Sequence, residues 1–313
     1  MSVSFIFPGQ GSQAVGMGAA LAEAYPVAKA VFAEVDDALG QSLSALMWEG
    51  PESDLTLTEN AQPALMAVSL AAIRVLKERG LDLAQSVAFV AGHSLGEYSA
   101  LAAAGALSIA DTAKLLKIRG RAMQQAVPVG AGAMAALLGA DLAQALELAK
   151  AAAEGEVCEA ANDNAPGQVV ISGTKAAIDR AVALAPKYGA RRAVLLPVSA
   201  PFHCALMQPA ADAMREALAG VTIRTPVVPL VANVLAAPVS EPDAIRDRLV
   251  EQVTGMVRWR ESMLYLTSHG VASVYEVGAG RVLTGIARRF DGLDAKSIGT
   301  PDEIEAAVTA LAA

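Results

Sequence analysis

The sequence predicts an α/β protein in which a domain built on a parallel sheet is interrupted by a smaller insert. Three observations carry this. Short apolar runs bounded by loops, at 3–7, 87–91, 227–233 and 271–277, read as strands buried on both faces. Alanine-rich segments of helical pattern stand between them, as the crossovers of a parallel sheet require. Between residues 133 and 196 the order changes to β-α-β-β-α-β, the pattern of a ferredoxin-like unit. The expected division is a discontinuous large domain, 1–127 and 197–313, and a small subdomain, 128–196.

The first strand runs into Pro8-Gly9-Gln10-Gly11-Ser12-Gln13, a loop that feeds a helix over 17–39. Gly9, Gly11 and Ala14 fit the spacing of a dinucleotide-binding turn, but no second strand ending in an acid follows. The loop is read instead as a donor of backbone N–H groups beside the strand that carries the chemistry. Residues 51–60 are a polar connector, and 62–79 are a helix stopped by Gly80.

Next comes Gly92-His93-Ser94-Leu95-Gly96, between the strand 87–91 and an alanine-rich helix over 95–106. A G-x-S-x-G turn in this setting strains the backbone at the serine and needs side-chain-free neighbours two residues away. The hydroxyl then stands above the sheet at the positive end of a helix.

Residues 108–125 form a helix with Asp111 in its first turn. Thr112, Leu115, Leu116, Arg119 and Met123 share one side, and Lys114, Lys117 and Arg121 are placed on a water-facing side. Arg119 therefore projects from an apolar stripe. A buried guanidinium needs a carboxylate, from the protein or from a ligand.

Val127-Pro128-Val129-Gly130 reads as a hinge into the insert: strands at 133–138, 157–161, 168–172 and 192–196, helices at 141–153 and 175–188, and a loop at 162–167. Pro197 marks the exit. After it come the loop 198–204, a helix to Leu218, the strand 227–233, helices at 245–253 and 259–269, the strand 271–277, and a short helix through Arg289.

Serine is a poor nucleophile without a base. Of three histidines, His93 belongs to the turn itself, and His269 sits at a helix end where it satisfies carbonyls. His203, late in the chain, is the candidate base. Cys204 lacks an equivalent turn and is the weaker nucleophile. No acid stands out as a third member, so a backbone carbonyl is expected to orient the imidazole.

Composition excludes several classes. A net charge of −8 argues against a general nucleic-acid binder. Two cysteines make no disulfide framework, and no Cys/His cluster has zinc spacing. The N-terminal apolar run stops at Pro8 with no basic region before it, so no signal peptide is expected. No apolar stretch is long enough to span a membrane. The expectation is a cytoplasmic monomer without membrane or nucleic-acid partners.

PGQGSQ at 8–13, GHSLGEY at 92–98, the Arg119 helix, PFHCALM at 201–207 and EVGAG at 276–280 together resemble the malonyl-CoA:acyl carrier protein transacylases, over nearly the whole chain. Acyltransferase domains of polyketide synthases are more distantly similar. The resemblance implies an α/β-hydrolase-like large domain with a ferredoxin-like insert. It implies Ser94 as nucleophile and His203 as base and then acid. The N–H groups of Gln10 and Leu95 would form the oxyanion hole. Arg119 would pair with the malonyl carboxylate, and the Gln252 carbonyl would hold the histidine. Phe202 would restrict the acyl pocket. The implied reactants are malonyl-CoA and the 4'-phosphopantetheine of acyl carrier protein, with no bound cofactor and no metal. Met256 stands where the family usually has Pro, which bears on the turn after Gln252. The alternatives are the malonyl transferase of a malonate decarboxylase, which would use the same residues, and a serine esterase or thioesterase, which would not need Arg119. For carrier docking, the stretch 174–192 offers Lys175, Arg180, Lys187, Arg191 and Arg192 against Asp179, and Arg281, Arg288 and Arg289 form a second cluster.

Overall fold

The computed structural model describes residues 2–311. In chain order its elements begin β1 (Ser2–Phe7), α1 (Ala19–Ala24), α2 (Pro26–Leu39), α3 (Leu43–Glu49), α4 (Glu52–Thr56), α5 (Thr58–Glu78), α6 (Leu83–Ser86), β2 (Phe89–Gly92), α7 (Gly96–Ala103) and α8 (Ile109–Gln125). The insert follows as β3 (Gly132–Leu138), α9 (Leu142–Ala153), β4 (Cys158–Ala165), β5 (Gln168–Thr174), α10 (Lys175–Leu184) and β6 (Arg192–Leu195). The chain closes with α11 (Gln208–Ala219), β7 (Leu230–Ala232), β8 (Ala237–Val239), α12 (Pro242–Glu251), α13 (Trp259–Ser268), β9 (Val271–Val277), α14 (Val282–Ala287), β10 (Asp294–Ile298) and α15 (Pro301–Leu311).

The large sheet has the order β10-β9-β1-β2-β7-β8 and is parallel except for the β7–β8 pair. Both faces are covered, which is why its strands read as unbroken apolar runs. In β1, Phe5 and Phe7 point into the core under α2, α5 and α8, whereas Ile6 points to the opposite side with Trp259, Val274 and Leu283. The small sheet, β4-β5-β3-β6, is antiparallel throughout and has its own core with α9 and α10. This is the ferredoxin-like order the pattern predicts. Among the described residues, no helix is long and apolar enough to cross a membrane.

Several elements depart from expectation. The helix expected over 17–39 is two helices, because Pro26 occupies the first turn of α2 and the chain must turn at Tyr25 before it. The connector at 51–60 holds α4 and the first turn of α5. The loop expected at 162–167 is largely strand, since β4 continues to Ala165 through its pairing with β5. Lys117 does not face water. It is buried, donates to Asn60 Oδ1 (2.7 Å) and Gln41 Oε1 (2.8 Å), and pairs with Glu59 (3.1 Å).

Candidate active site

The C-terminal ends of β1, β2 and β7 meet at one edge of the large sheet, and the loops that leave them build the site. Gly92 ends β2 and Gly96 starts α7. A Cβ on Gly92 would lie 1.9 Å from the Gly96 backbone, and one on Gly96 would lie 2.2 Å from Phe7 O. Between them Ser94 adopts φ 53°, a left-handed conformation that L-residues hold only when their surroundings impose it. Asn233, just beyond β7, supplies that constraint: its Oδ1 accepts from Ser94 N–H (2.8 Å) and its Nδ2 donates to Gly92 O (2.7 Å).

His203 reaches the serine from the loop after the insert. Ser94 Oγ lies 2.8 Å from His203 Nε2, and His203 Nδ1 faces the carbonyls of Gln252 (2.9 Å) and Gly255 (3.1 Å). Two acceptors at Nδ1 require the proton there, so Nε2 is left free to accept from the serine. Burial, reinforced by the nearby Arg119 charge, pulls the His203 pKa down to about 3. The imidazole is therefore neutral, with Nε2 free to accept from the serine hydroxyl. No acid is needed to orient it. The turn that carries both carbonyls is tied down despite Met256: Val257 N–H donates to Ala161 O and Asp163 N–H donates to Val257 O, both 2.9 Å, joining the turn to β4.

Arg119 is 1% exposed. Its Nη1 donates to Gln62 Oε1 (2.8 Å), and its Nη2 donates to Gln252 Oε1 (2.9 Å) and Ser94 Oγ (3.0 Å). Its guanidinium lies 5.7 Å from the centre of the Tyr98 ring. Among the described residues it forms no salt bridge. The helix that carries it is drawn onto α5 at Gly120, where a Cβ would come within 2.5 Å of Glu59 Cα.

A cavity of about 480 Å³ opens over these groups. It is lined by Gln10, Leu95, Ser94, Arg119, Phe202 and His203 among others, and reaches Met134 and Asn162 of the small sheet. The N–H groups of Gln10 and Leu95 meet no acceptor among the described residues, so two donors are available beside the serine, one of them at the positive end of α7. Gln10 Oε1 accepts from Thr58 Oγ1 (2.8 Å), which accepts from Gln62 Nε2 (2.9 Å). One side-chain chain thus links the Gly9–Gln10 loop to the arginine.

All seven residues singled out in the sequence, Gln10, Ser94, Leu95, Arg119, Phe202, His203 and Gln252, come together here. Cys204 does not join them: it is fully buried, its thiol donates to Pro201 O (3.2 Å), and burial pushes its pKa up to about 11. His93 points to Asn164 Oδ1 (2.9 Å) and packs on Trp259. His269 Nδ1 donates to Tyr265 O (2.8 Å) at the end of α13, as expected of a helix-capping histidine. Sequence reasoning missed Asn233, Gln62, Glu97 and the Gly255 carbonyl. Asn233 had a legible signal, a polar residue ending a buried strand on the edge where the serine turn sits.

Comparison with known proteins bears on this geometry. Residues 4–299 match the family described as acyl transferase domain. A malonyl CoA-acyl carrier protein transacylase of Escherichia coli K12 is 48% identical over 97% of this chain and 98% of its own. An acyl-carrier-protein S-malonyltransferase of Bartonella henselae superposes with a TM-score of 0.98 at 56% identity, covering both chains completely. A malonyl-transacylase solved in complex with a type II polyketide acyl-carrier protein gives a TM-score of 0.95 at 42% identity, covering 99% of this chain and 100% of that one.

Proposed function

The chain belongs to the malonyl-CoA:acyl carrier protein transacylase family of acyl transferases, and from that premise we propose how its residues divide the work. The enzyme transfers the malonyl group from malonyl-CoA to the phosphopantetheine thiol of acyl carrier protein, a supply step of fatty-acid synthesis. In our reading Ser94 Oγ attacks the thioester carbonyl while His203 Nε2 takes its proton. The tetrahedral oxyanion sits between the N–H groups of Gln10 and Leu95. The C–S bond breaks, and His203 returns the proton to the departing coenzyme A thiolate. The carrier thiol then attacks the serine ester, His203 accepts its proton, and Ser94 is regenerated. Phe202 narrows the acyl pocket. Gln252 O, with Gly255 O, holds His203 in the required tautomer.

One observation carries this reading: a buried arginine in contact with the nucleophile and with no acid paired to it. An acyl group ending in a carboxylate completes that arrangement through charge-assisted, bidentate contact. An esterase or thioesterase for neutral substrates has no use for it, and the malonate decarboxylase alternative is not favoured by relatives that match the chain end to end.

We take residues 128–196 as the small subdomain, supported by the second sheet and its separate core. For the carrier we favour a docking surface on Lys187, Arg191 and Arg192, which are exposed; Lys175 and Arg180 of the same stretch are paired with Asp179 and Glu156. Reversing the charge of Arg191 and Arg192 is expected to slow carrier acylation and leave acylation of Ser94 by malonyl-CoA unchanged. Equal loss in both half-reactions removes that surface from the account. We further take the protein to be a cytoplasmic monomer without nucleic-acid or membrane partners, in keeping with its net charge of −8; sedimentation at equilibrium tests the monomer.

The test of the whole reading is intact mass after mixing with malonyl-CoA. One malonyl adduct is expected. It should be absent in Ser94→Ala and discharged by carrier protein bearing phosphopantetheine. No adduct, or an adduct retained in Ser94→Ala, overturns it.

A further inference from the structure

Glu97 lies three residues after Ser94 and is fully buried in the first turn of α7. The mechanism above does not use it. Its Oε2 accepts two hydrogen bonds, from Asn233 N–H (3.0 Å) and Gln252 Nε2 (2.9 Å), while its Oε1 meets no donor among the described residues.

Those two partners are the groups on which the site depends. Asn233 Oδ1 takes the Ser94 N–H, which fixes the strained turn. Gln252 is used at both ends. Its main-chain carbonyl orients His203, and its side-chain Oε1 receives Arg119 Nη2. An amide can present either its carbonyl or its NH2 to a neighbour. Gln252 Nε2 is surrounded by acceptors: Glu97 Oε2, Ser94 O (2.9 Å) and Asn233 Oδ1 (3.3 Å). Of these, only the carboxyl of Glu97 also anchors the Asn233 backbone. With the NH2 held there, the amide oxygen is committed to the arginine. With the amide reversed, an NH2 group would face a guanidinium.

We propose that Glu97 is a positioning residue for the transfer: by accepting from Gln252 and Asn233 at one oxygen it sets the Gln252 amide so that Arg119 is held for an acyl carboxylate, and it steadies the two residues whose own hydrogen bonds hold Ser94 and His203. The inference rests on the malonyl-transfer reading. The role proposed for Glu97 is acceptance at Oε2, which both the ionised and the protonated carboxyl can provide. Burial pushes the Glu97 carboxyl up to about 7, and hydrogen bonds from Asn233 and Gln252, with the charge of Arg119 behind them, pull the other way. Protonation at the unpartnered Oε1 leaves Oε2 accepting both bonds.

This distinguishes substitutions. Glu97→Gln keeps an acceptor in the place of Oε2 and puts an NH2 where Oε1 has no donor to lose. Glu97→Met keeps the bulk and removes the acceptor. The experiment measures the initial ratio of malonyl to acetyl adducts on Ser94, by intact mass, with both coenzyme A thioesters present and with folded protein matched by circular dichroism. Glu97→Gln is expected to stay within about threefold of wild type, and Glu97→Met to lose roughly tenfold of the ratio, the weight of one buried hydrogen bond to a charged centre. A role in folding alone would lower thermal stability and leave the ratio of the folded fraction unmoved. A Met variant with the wild-type ratio, or a Gln variant as impaired as Met, overturns the inference. Should Met not fold, Glu97→Asp, which withdraws the acceptor by one methylene, takes its place with the same two outcomes. Wild-type protein that acquires no malonyl adduct, or shows no preference, would instead remove the reading on which the inference stands.

Discussion

Helix α8 carries two buried cations two residues apart, and the structure treats them in opposite ways. Lys117 looks toward the start of α5, where Glu59 pairs with it and Asn60 and Gln41 complete its hydrogen bonds. Arg119 looks toward the serine and is held only by neutral oxygens of Gln62, Gln252 and Ser94. Taking a cation out of water costs several kcal/mol unless an anion is paired with it. At Lys117 the fold supplies that anion. At Arg119 it supplies hydrogen bonds but no direct ion pair: the buried Glu97 acts on it only from behind Gln252, and the guanidinium stays open beside Ser94. The difference supports the proposal that a directly paired anion arrives with the substrate.

The sharpest way to break this contrast is to give Arg119 what Lys117 already has. Gln62→Glu places a carboxylate where an amide oxygen now accepts from Nη1. The expected result is a fold at least as stable in thermal unfolding, with acylation of Ser94 by malonyl-CoA reduced on the order of 10²-fold, because the internal acid competes for the guanidinium. Unchanged acylation would mean that the charge is not used.

A second consequence concerns acidity. His203 is depressed to about 3 by burial first and by Arg119 next, with a smaller contribution from His93. Loss of neutral imidazole occurs only as pH falls through the folded value. Labelling of Ser94 by a neutral fluorophosphonate should therefore persist well below the ordinary histidine range. In Arg119→Ala its acid limb should move up toward that range, and in Lys117→Met it should stay in place. The same depression leaves the unfolded chain binding more protons between about 3 and 6.5, so this histidine's contribution to stability rises with pH across that window.

The third effect is smaller and falls on the other cation. Lys117→Met strands part of the Glu59 and Asn60 network and should cost about 1–3 kcal/mol in denaturant unfolding, with the malonyl-to-acetyl ratio unchanged. The smallest follows from Glu59 itself. Burial raises its pKa, but hydrogen bonds from Arg121 and Lys117 overcome that and hold the carboxyl below its usual range. Its stabilising contribution is present above the unfolded value and is lost as pH falls through the folded one. Acid unfolding of Lys117→Met should show a weaker dependence over that interval.

The same pair of residues shows what the sequence could and could not reveal. Ser94 was legible because its turn is local: five residues between a strand and a helix require glycines at fixed places, and Gly92 and Gly96 prove to abut backbone. Arg119 was legible from helical periodicity. Lys117 was misread because the same periodicity placed it on the water side, and nothing nearby in sequence announces that Gln41, Glu59 and Asn60 cover it. Glu97 and Gln62 were missed for a related reason. Most of their partners lie far away along the chain, and a polar residue in a helix looks the same whether it faces solvent or a buried network. Asn233, at the end of a buried strand, did carry a signal, but its partners Ser94 and Gly92 are distant in sequence. The break at Pro26 was available in the sequence, since proline is at home in the first turn of a helix and not within one. The extension of β4 through Asn162 and Asp163 was not, because it depends on pairing with β5 and with Val257.

The central claim is that Arg119 is kept unpaired for the carboxylate of the acyl group. It is tested most directly by offering equal concentrations of malonyl-CoA and acetyl-CoA to wild type and to Arg119→Ala and reading the first adducts on Ser94 by intact mass. The account predicts malonyl adducts in wild type, and in the variant a ratio that falls to near one or inverts in favour of acetyl. A malonyl preference that survives the loss of Arg119 would contradict it.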